Sequence, residues 1–449
     1  MPQPVLDNWE TIVSLLPANW EELAAEHRQV ETKYGNAKIT QASDLLRLIL
    51  THAAADLPLR QTVALVAESG GPDISPMRLH KKMARATDYL HALVAAMVQA
   101  PLGLEPERWA GYEVSAVDAT VISRPGSVNG DARIHHRIRL SDLKYMEIRS
   151  TGIDQGETLR GFDFKTGELV VGDRGYCNAP GVAHVVDAGA DVLIRFNRSS
   201  MPLLLLDDKT PVDLMKVLRK MTSRRVHEVF VKVPYKVGRD TRLIPGRLCI
   251  IRLPESQARK ARDRARKEHG PSVNADTLEA AGYVVLFTTA PWQRLSAAQC
   301  IELYRLRWQV ELQFKRWKSI CGFDRMPNFR ADTIASWLYA KILAAVLLEK
   351  LTSPQSEVFP RNTSTTKSES KRPAMARQPW KLTRLLWPLL VSALLPMTLC
   401  ELTRYVGPIT DRLDALEHAT RVRQVDSFRA QLRASGELRS ARRSASHSC

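Results

Sequence analysis

Acidic side chains are scarce in this chain. Only 48 Asp and Glu stand against 65 Lys and Arg, for a formal net charge of +17. The isoelectric point lies near 9.7. Such an imbalance points to a polyanionic partner, nucleic acid first and an anionic membrane surface second. Cysteine is sparse as well, with six residues at 177, 249, 300, 321, 400 and 449, no CxxC pair and no His at ligand spacing. That argues against a zinc site and a disulfide framework, and it fits a reducing cytoplasm. Long apolar runs are also missing. The most hydrophobic segment, 379–399, has Lys381 and Arg384 flanking its first turn and is interrupted by Pro388 and Pro396. Its unbroken stretch falls short of the roughly 20 residues that a membrane span needs. It reads as a buried or partner-facing helix. Before Leu45 no basic stretch precedes an apolar core, so nothing there reads as a signal peptide. What the chain does have is 44% hydrophobic residues, which excludes wholesale disorder. At 449 residues it is too long for one ordinary core, and two or three domains are expected.

Residues 1–105 read as helical. Leu45, Leu46, Leu48, Ile49 and Leu50 follow the capping candidates Ser43 and Asp44. A helix over 59–67 is followed by a breaker run at 69–73. The next helix starts at Ser75-Pro76, an N-cap followed by Pro at the first helical position. It carries Arg78, His80, Lys81, Lys82 and Arg85, which is the layout of a helix-turn-helix reader of DNA. The plainer alternative is a helix pair with a solvated basic face. From residue 112 the period shortens from 3.6 toward 2, predicting strands at 113–122, 133–140, 144–150 and 168–173. A helix at 179–188 and a strand at 191–196 complete a mixed α/β sheet within a domain spanning 106–350. Residues 199–282 read as an inserted β-rich subdomain with a basic helix at 257–267, and the core resumes with a strand at 283–289. Residues 351–380, rich in Ser, Thr, Pro and Lys, read as a linker. A helical C-terminal region at 381–449 ends in a basic tail.

The most informative stretch runs from Tyr304 to Lys318, YRLRWQVELQFKRWK. No Gly or Pro occurs from 295 to 320, so one helix is predicted. At about 100° per residue, Tyr304, Arg307, Glu311, Lys315 and Lys318 share a face. One carboxylate among cations suits a polyanionic backbone with a metal ion beside it. Read alone, the same face is also a solvated stripe of i,i+4 ion pairs. Two other carboxylates lie at predicted strand ends. Asp118 closes part of the first strand, and Asp173 sits between Gly172 and Arg174-Gly175, where the backbone can approach a ligand closely and Arg174 adds a cation. Three carboxylates brought together repel one another unless a cation sits between them. Hard oxygen ligands select Mg²⁺ or Mn²⁺, and a pair of such ions suits phosphodiester displacement.

Together these residues resemble the DDE transposases of bacterial insertion sequences, in the group marked Tyr-(2)-Arg-(3)-Glu-(6)-Lys. Here that pattern is Tyr304, Arg307, Glu311 and Lys318, with every spacing kept. Asp118-Ala119-Thr120 resembles the family's Asp-x-Thr strand, and residues 173–176 match its Asp-Arg-Gly-Tyr turn. The separation of Asp173 and Glu311 (311 − 173 = 138) fits members with a β-strand insertion. The resemblance covers residues 40–350. It implies an RNase H-like mixed α/β sheet with a β-rich insertion subdomain, preceded by an all-α DNA-binding region. Asp118, Asp173 and Glu311 would be the catalytic ligands of Mg²⁺, with Mn²⁺ as a substitute. Tyr304, Arg307, Lys318 and Arg174 would contact DNA. Trp308 would stack on a displaced base during hairpin formation, unless it is a core residue, and Trp292 is a weaker candidate. The implied partners are double-stranded DNA, as terminal inverted repeats and target, and a second copy of the chain on paired ends, without membrane contact. The implied setting is a bacterial, nucleoid-associated cytoplasm. The implied activity is DNA transposition by Mg²⁺-dependent strand cleavage and strand transfer. Two readings compete: a catalytically inactive, transposase-derived DNA-binding protein, against which the intact acidic triad speaks, and a plain RNase H-like nuclease, which would not need the spaced Tyr, Arg and Lys.

Overall fold

A computed structural model of the chain describes residues 8–30, 38–99, 108–124, 126–223, 225–270, 272–327, 331–352, 378–395, 408, 411–412 and 414–416. Most of the expected linker and the whole basic tail lie outside the described residues. In chain order the first helices are α1 (Asn8–Val13), α2 (Trp20–Glu26), α3 (Ala42–Ala54), α4 (Leu59–Glu68), α5 (Pro76–Arg85) and α6 (Thr87–Gln99). Then come β1 (Glu113–Ile122), β2 (Ala132–Arg139), β3 (Tyr145–Thr151), a 3-10 turn (Leu159–Gly161), β4 (Glu168–Gly172), α7 (Ala179–Asp187) and β5 (Asp191–Arg195). They are followed by α8 (Leu214–Arg219), β6 (His227–Val237), β7 (Asp240–Arg252), α9 (Glu255–His269), α10 (Ala275–Ala280) and β8 (Tyr283–Thr288). Four helices close the described chain: α11 (Ala297–Arg305), α12 (Trp308–Ser319), α13 (Ala331–Thr352) and α14 (Gln378–Leu394).

The described residues divide between two compact units, one drawn from 1–93, 329–344 and 388–449, the other from 94–328 and 345–387. The first is helical, as the 3.6 periodicity predicts. Leu45, Leu46, Leu48, Ile49 and Leu50 of α3 are all buried, as are Leu79 and Met83 of α5. Ser75 caps α5 by accepting from the Arg78 amide at 3.2 Å, with Pro76 in the first turn. On that basic helix Lys82 donates to the Gln29 carbonyl at 2.9 Å, while Lys81 and Arg85 are exposed. A buried cation is neutralised in the same unit: Lys341 Nζ lies 2.5 Å from Asp56 Oδ1 and 4.8 Å from the Trp337 ring centre. Leu390 and Leu394 of α14 are buried, whereas Leu385 and Leu389 are exposed, so the segment is amphipathic. Among the described residues no helix is long and apolar enough to cross a membrane.

The second unit is built on one mixed eight-stranded sheet in the order β3-β2-β1-β4-β5-β8-β7-β6. Strands β1, β4 and β5 run parallel, and every other pairing is antiparallel. All five residues of β4 (ELVVG) are buried, as a central strand covered on both faces requires. The inserted strands differ from expectation. Instead of a separate β-rich subdomain, the β6–β7 hairpin extends the same sheet, because β7 pairs with β8 from Arg247↔Thr288 to Arg252↔Tyr283. Val231, Val233, Ile244, Leu248 and Ile250 therefore share one core with Val170, Val192, Ile194 and Phe287. The helix predicted over 295–320 also differs, since it is two helices with a tight turn at Leu306-Arg307. There the Arg307 and Val310 amides bond to carbonyls three residues back, at 3.1 Å each. Such i→i+3 tightening needs no Gly or Pro, so periodicity alone did not reveal it.

Candidate active site

The sheet register brings two of the three singled-out carboxylates together. Parallel strands β1 and β4 align Ala116 with Val171. Two residues further along each chain (116 + 2, 171 + 2) stand Asp118, within β1, and Asp173, just past the end of β4, close enough for their charges to interact. Asp118 Oδ1 accepts the Ala119 amide at 2.9 Å, and Asp173 Oδ1 accepts the Gly175 amide at 2.8 Å. Gly172 is needed for close packing, because a Cβ there would lie 3.2 Å from both Ile194 Cγ2 and Tyr176 Cβ. Burial pushes the Asp118 carboxyl up to about 7, partly offset by the Ala119 amide; the Asp173 and Glu157 charges add to the rise and Arg307 opposes it.

Helix α12 brings the third. Its docking rests on aromatic contacts to β2: the His136 ring stacks on Phe314 at 3.8 Å, with Trp317 edge-on at 5.6 Å. Lys318 Nζ then donates to the Val121 carbonyl at 2.9 Å, three residues beyond Asp118 on β1. Glu311 is ion-paired with Arg307, which also faces Asp118 and lies with its guanidinium 5.8 Å from the Tyr304 ring centre. Arg307 thus pairs with the Glu311 carboxylate while its charge also faces Asp118. Among the described residues no three His, Cys, Asp or Glu side chains converge closely enough to hold a metal ion.

The His136 contact carries a pH dependence. Burial holds its imidazole down at about 3, with Arg316 and His135 adding to the effect. The Tyr145 ring lies 6.1 Å away on β3. An unfolded His takes up its proton near pH 6.5, so stability is present above that pH and is lost as pH falls toward 3. His136→Phe should keep the stack and remove this dependence. The difference in unfolding free energy between variant and wild type, from denaturant titrations at pH 4.5 to 7, is expected to change by about 1.4 kcal/mol per pH unit below pH 6. A flat difference would remove the assignment.

Two further residues belong to this site that sequence reasoning did not single out. Glu157 lies over the Asp173 turn, so close that a Cβ on Gly175 would be 2.0 Å from its Oε2. Burial and then the Asp173 charge raise its carboxyl, against Arg133. Only the smallness of Gly175 could have hinted at it. Arg195 ends the apolar strand β5 and is half-buried beside Tyr304. Burial lowers its pKa, as do the neighbouring cations Arg174, Arg307 and Arg264, with Tyr304 opposing. Its sequence signal was a charge directly after the apolar run Val192-Leu193-Ile194. Arg264 comes from the basic helix α9, where Arg262 and Arg266 are already paired with Glu255 and Asp263. Trp308 is 41% exposed, which removes the reading of it as core, and Trp292 is 57% exposed. Arg174 is exposed beside Asp173.

The donor set is chemically suited to a hard cation. Asp118, Asp173 and Glu157 offer only carboxylate oxygens, and their mutual repulsion on buried ground is what a divalent ion would relieve.

Residues 149–347 match the family described as the transposase DDE domain. The chain is 28% identical over 366 residues to the InsL protein of insertion sequence element IS186A from Escherichia coli K12, covering 80% of this chain and 98% of that one. It is 28% identical over 367 residues, with the same coverage, to the transposase of element IS421 from Escherichia coli. A transposase of element IS231F from Bacillus thuringiensis subsp. israelensis is 34% identical over 107 residues, 24% of this chain and 22% of that one. With Asp118 and Asp173 on neighbouring parallel strands, a Glu-bearing helix packed on β1, and relatives aligned over four-fifths of its length, the chain carries a transposase DDE domain and is homologous to the transposases of bacterial insertion sequences.

Proposed function

We propose that the protein is a catalytically competent transposase that binds the inverted ends of its element, cleaves them and joins the freed 3′-hydroxyls to target DNA. The observation that carries this reading is the register that sets Asp118 and Asp173 abreast while α12 presents Glu311 from above β1. The strand order β3-β2-β1-β4-β5, with β1, β4 and β5 parallel, supports an RNase H-like core. Asp118, Asp173 and Glu311 are the residues that would hold Mg²⁺, with Mn²⁺ as a substitute, and Glu157 adjoins them. Bound there, Mg²⁺ would supply Lewis-acid activation of the attacking oxygen and stabilise the leaving one. Arg307 now neutralises Glu311, and turning toward a DNA phosphate would free that carboxylate. Tyr304, Lys318, Arg174 and Arg195 line the path of the same strand, and Trp308 is exposed enough to stack on an extruded base, a contact worth about 1–3 kcal/mol. Helices α4 and α5 are proposed to read the ends, and paired ends call for two copies of the chain.

Cleavage is the direct test. Purified protein would be incubated with DNA carrying this gene and its native flanks in Mg²⁺, Ca²⁺ or EDTA. Breaks at two fixed positions in Mg²⁺ alone support the proposal. Binding without breaks in Mg²⁺ or Mn²⁺ would favour the catalytically inactive DNA-binding reading.

Helix α9 gives a second, separable expectation. Since Arg262 and Arg266 are satisfied within the helix, the useful substitutions are Arg259, Lys260, Arg264 and Lys267 to Ala. Each cation–phosphate pairing removed should lower the log–log salt slope of DNA binding by about 0.9. An unchanged slope would leave α9 as a solvated helix.

A further inference from the structure

Beside the carboxylates lies a second concavity, which the residues named so far do not use. The end of β3 and the loop that leads to β4 form an open cavity of about 360 Å³ lined by Arg149, Gln155, Gly156, Thr158, Arg160 and Gly161. The Arg149 guanidinium is held by packing. It lies 5.1 Å from the Phe162 ring centre and so close over Gly161 that a Cβ there would stand 1.4 Å from Nη2. Among the described residues its buried Nε makes no hydrogen bond. Arg160 is exposed at the rim, one residue before that glycine. Of the nearby carboxylates, Glu157 turns away and lies over Gly175, Asp154 lies over Gly152, and Glu168 is bound to Arg137. The loop itself is braced, with Arg133 Nη1 donating to the Gln155 carbonyl at 2.9 Å and Thr158 Oγ1 accepting the Arg160 amide at 3.3 Å.

We infer that this cavity is a phosphate subsite in which Arg149 and Arg160 hold one phosphodiester of a DNA strand whose neighbouring nucleotides lie over Asp118, Asp173 and Glu157. A guanidinium fixed by an aromatic face and a glycine, its Nε without a partner among the described residues, is held in place for contact to an anion and loses little freedom on binding. The position is chemically consistent. Arg307 stands beside Asp118, and Arg133 beside Glu157, so the carboxylates have cations on the Glu157 side as well as on the Tyr304 side. A polyanion crossing a group of carboxylates needs anchoring on both flanks to overcome repulsion in the middle. The inference rests on the transposase reading, and it adds a contact point for the substrate strand. Two DNAs could supply that phosphate, the element's own end and the target.

The test uses the full chain with Arg160→Ala and with Arg149→Gln/Arg160→Ala, checked by circular dichroism and thermal unfolding. Arg160 is exposed, so its single variant keeps the test alive if Arg149 proves necessary for folding. Binding would be titrated from 50 to 300 mM salt on the gene fragment with native flanks and on an unrelated duplex. The expected result is an affinity lower by about tenfold or more for the double variant, with the salt slope reduced by about 0.9. Loss confined to the flank fragment assigns the phosphate to the element's end; loss on both fragments assigns it to target DNA as well. Wild-type affinity and slope on both fragments would overturn the subsite. The cleavage assay separates the two failures: if the wild type cuts at fixed ends while the variants bind normally, only the subsite falls, whereas a wild type that never cuts brings down the reading beneath it.

Discussion

Asp118→Asn is expected to reduce DNA cleavage by about 10³-fold or more, with affinity for the element's ends unchanged or higher. The magnitude follows from removing one ligand of a centre that stabilises several kcal/mol of developing charge, at about 1.4 kcal/mol per factor of ten. The direction of the binding change follows from charge, since one anion fewer faces the incoming phosphates. Folding should not suffer. Burial and the neighbouring carboxylates raise Asp118 from an ordinary 3.8 to about 7, so in the metal-free protein the folded state favours the neutral acid, which Asn mimics. A raised carboxyl stabilises the fold at low pH, and that contribution is lost as pH rises through 7. The variant, spared this loss, should therefore match the wild type near pH 4 and unfold at a higher temperature at pH 8. Cleavage at the wild-type rate would remove Asp118 from the catalytic centre. A lower unfolding temperature at pH 8 would remove the account of its pKa.

Arg137→Met is expected to cost about 3–5 kcal/mol of stability, the largest structural effect foreseen for a single substitution. Arg137 is 2% exposed and joins four adjacent strands. From β2 it donates to Ser115 Oγ of β1 at 2.9 Å, Glu147 Oε1 of β3 at 3.0 Å and Glu168 Oε2 of β4 at 2.7 Å, and to the Asp163 carbonyl. Its guanidinium also lies 4.6 Å from the Phe164 ring centre. Removing it strands Glu168, which is 5% exposed and keeps only the Lys165 amide at 2.8 Å. Because Glu168 and Ser115 lie on the strands that carry Asp173 and Asp118, partial loss of this network should also blur the active-site register. Denaturant unfolding of Arg137→Met, Glu168→Gln and the double variant would measure the coupling. Additive effects would mean that the two residues do not act as a pair.

The parts of the fold legible in the chain were those set by local periodicity. The strands around Asp118 and Asp173, the capped helix at Ser75-Pro76 and the strand at 283–289 all fall within a few residues of where alternation and capping put them. Spaced motifs of fixed chemistry, Tyr304 to Lys318 above all, were legible for the same reason. Long-range pairing was not. Nothing local in 227–252 says that its hairpin joins the sheet through β8, because pairing is a choice of partner and β7 has only the apolar alternation any strand would have. The turn at Leu306-Arg307 has no breaker residue to mark it, so it leaves no local sign either.

Local sequence and bulk composition were enough to set the residue types at the site, their spacing along α12, the positive charge that suits a polyanion and the family resemblance that those spacings carry. Each is a property of neighbouring residues or of the whole composition, and needs no partner distant in the chain. It took the folded arrangement to stand Asp118 and Asp173 abreast, to join Glu157 and Arg195 to them, to hold Glu311 on Arg307, and to leave Arg149 facing an open cavity. These follow from strand register, burial and packing between segments tens to hundreds of residues apart, where the Coulomb and desolvation energies that set the chemistry depend on distance in space.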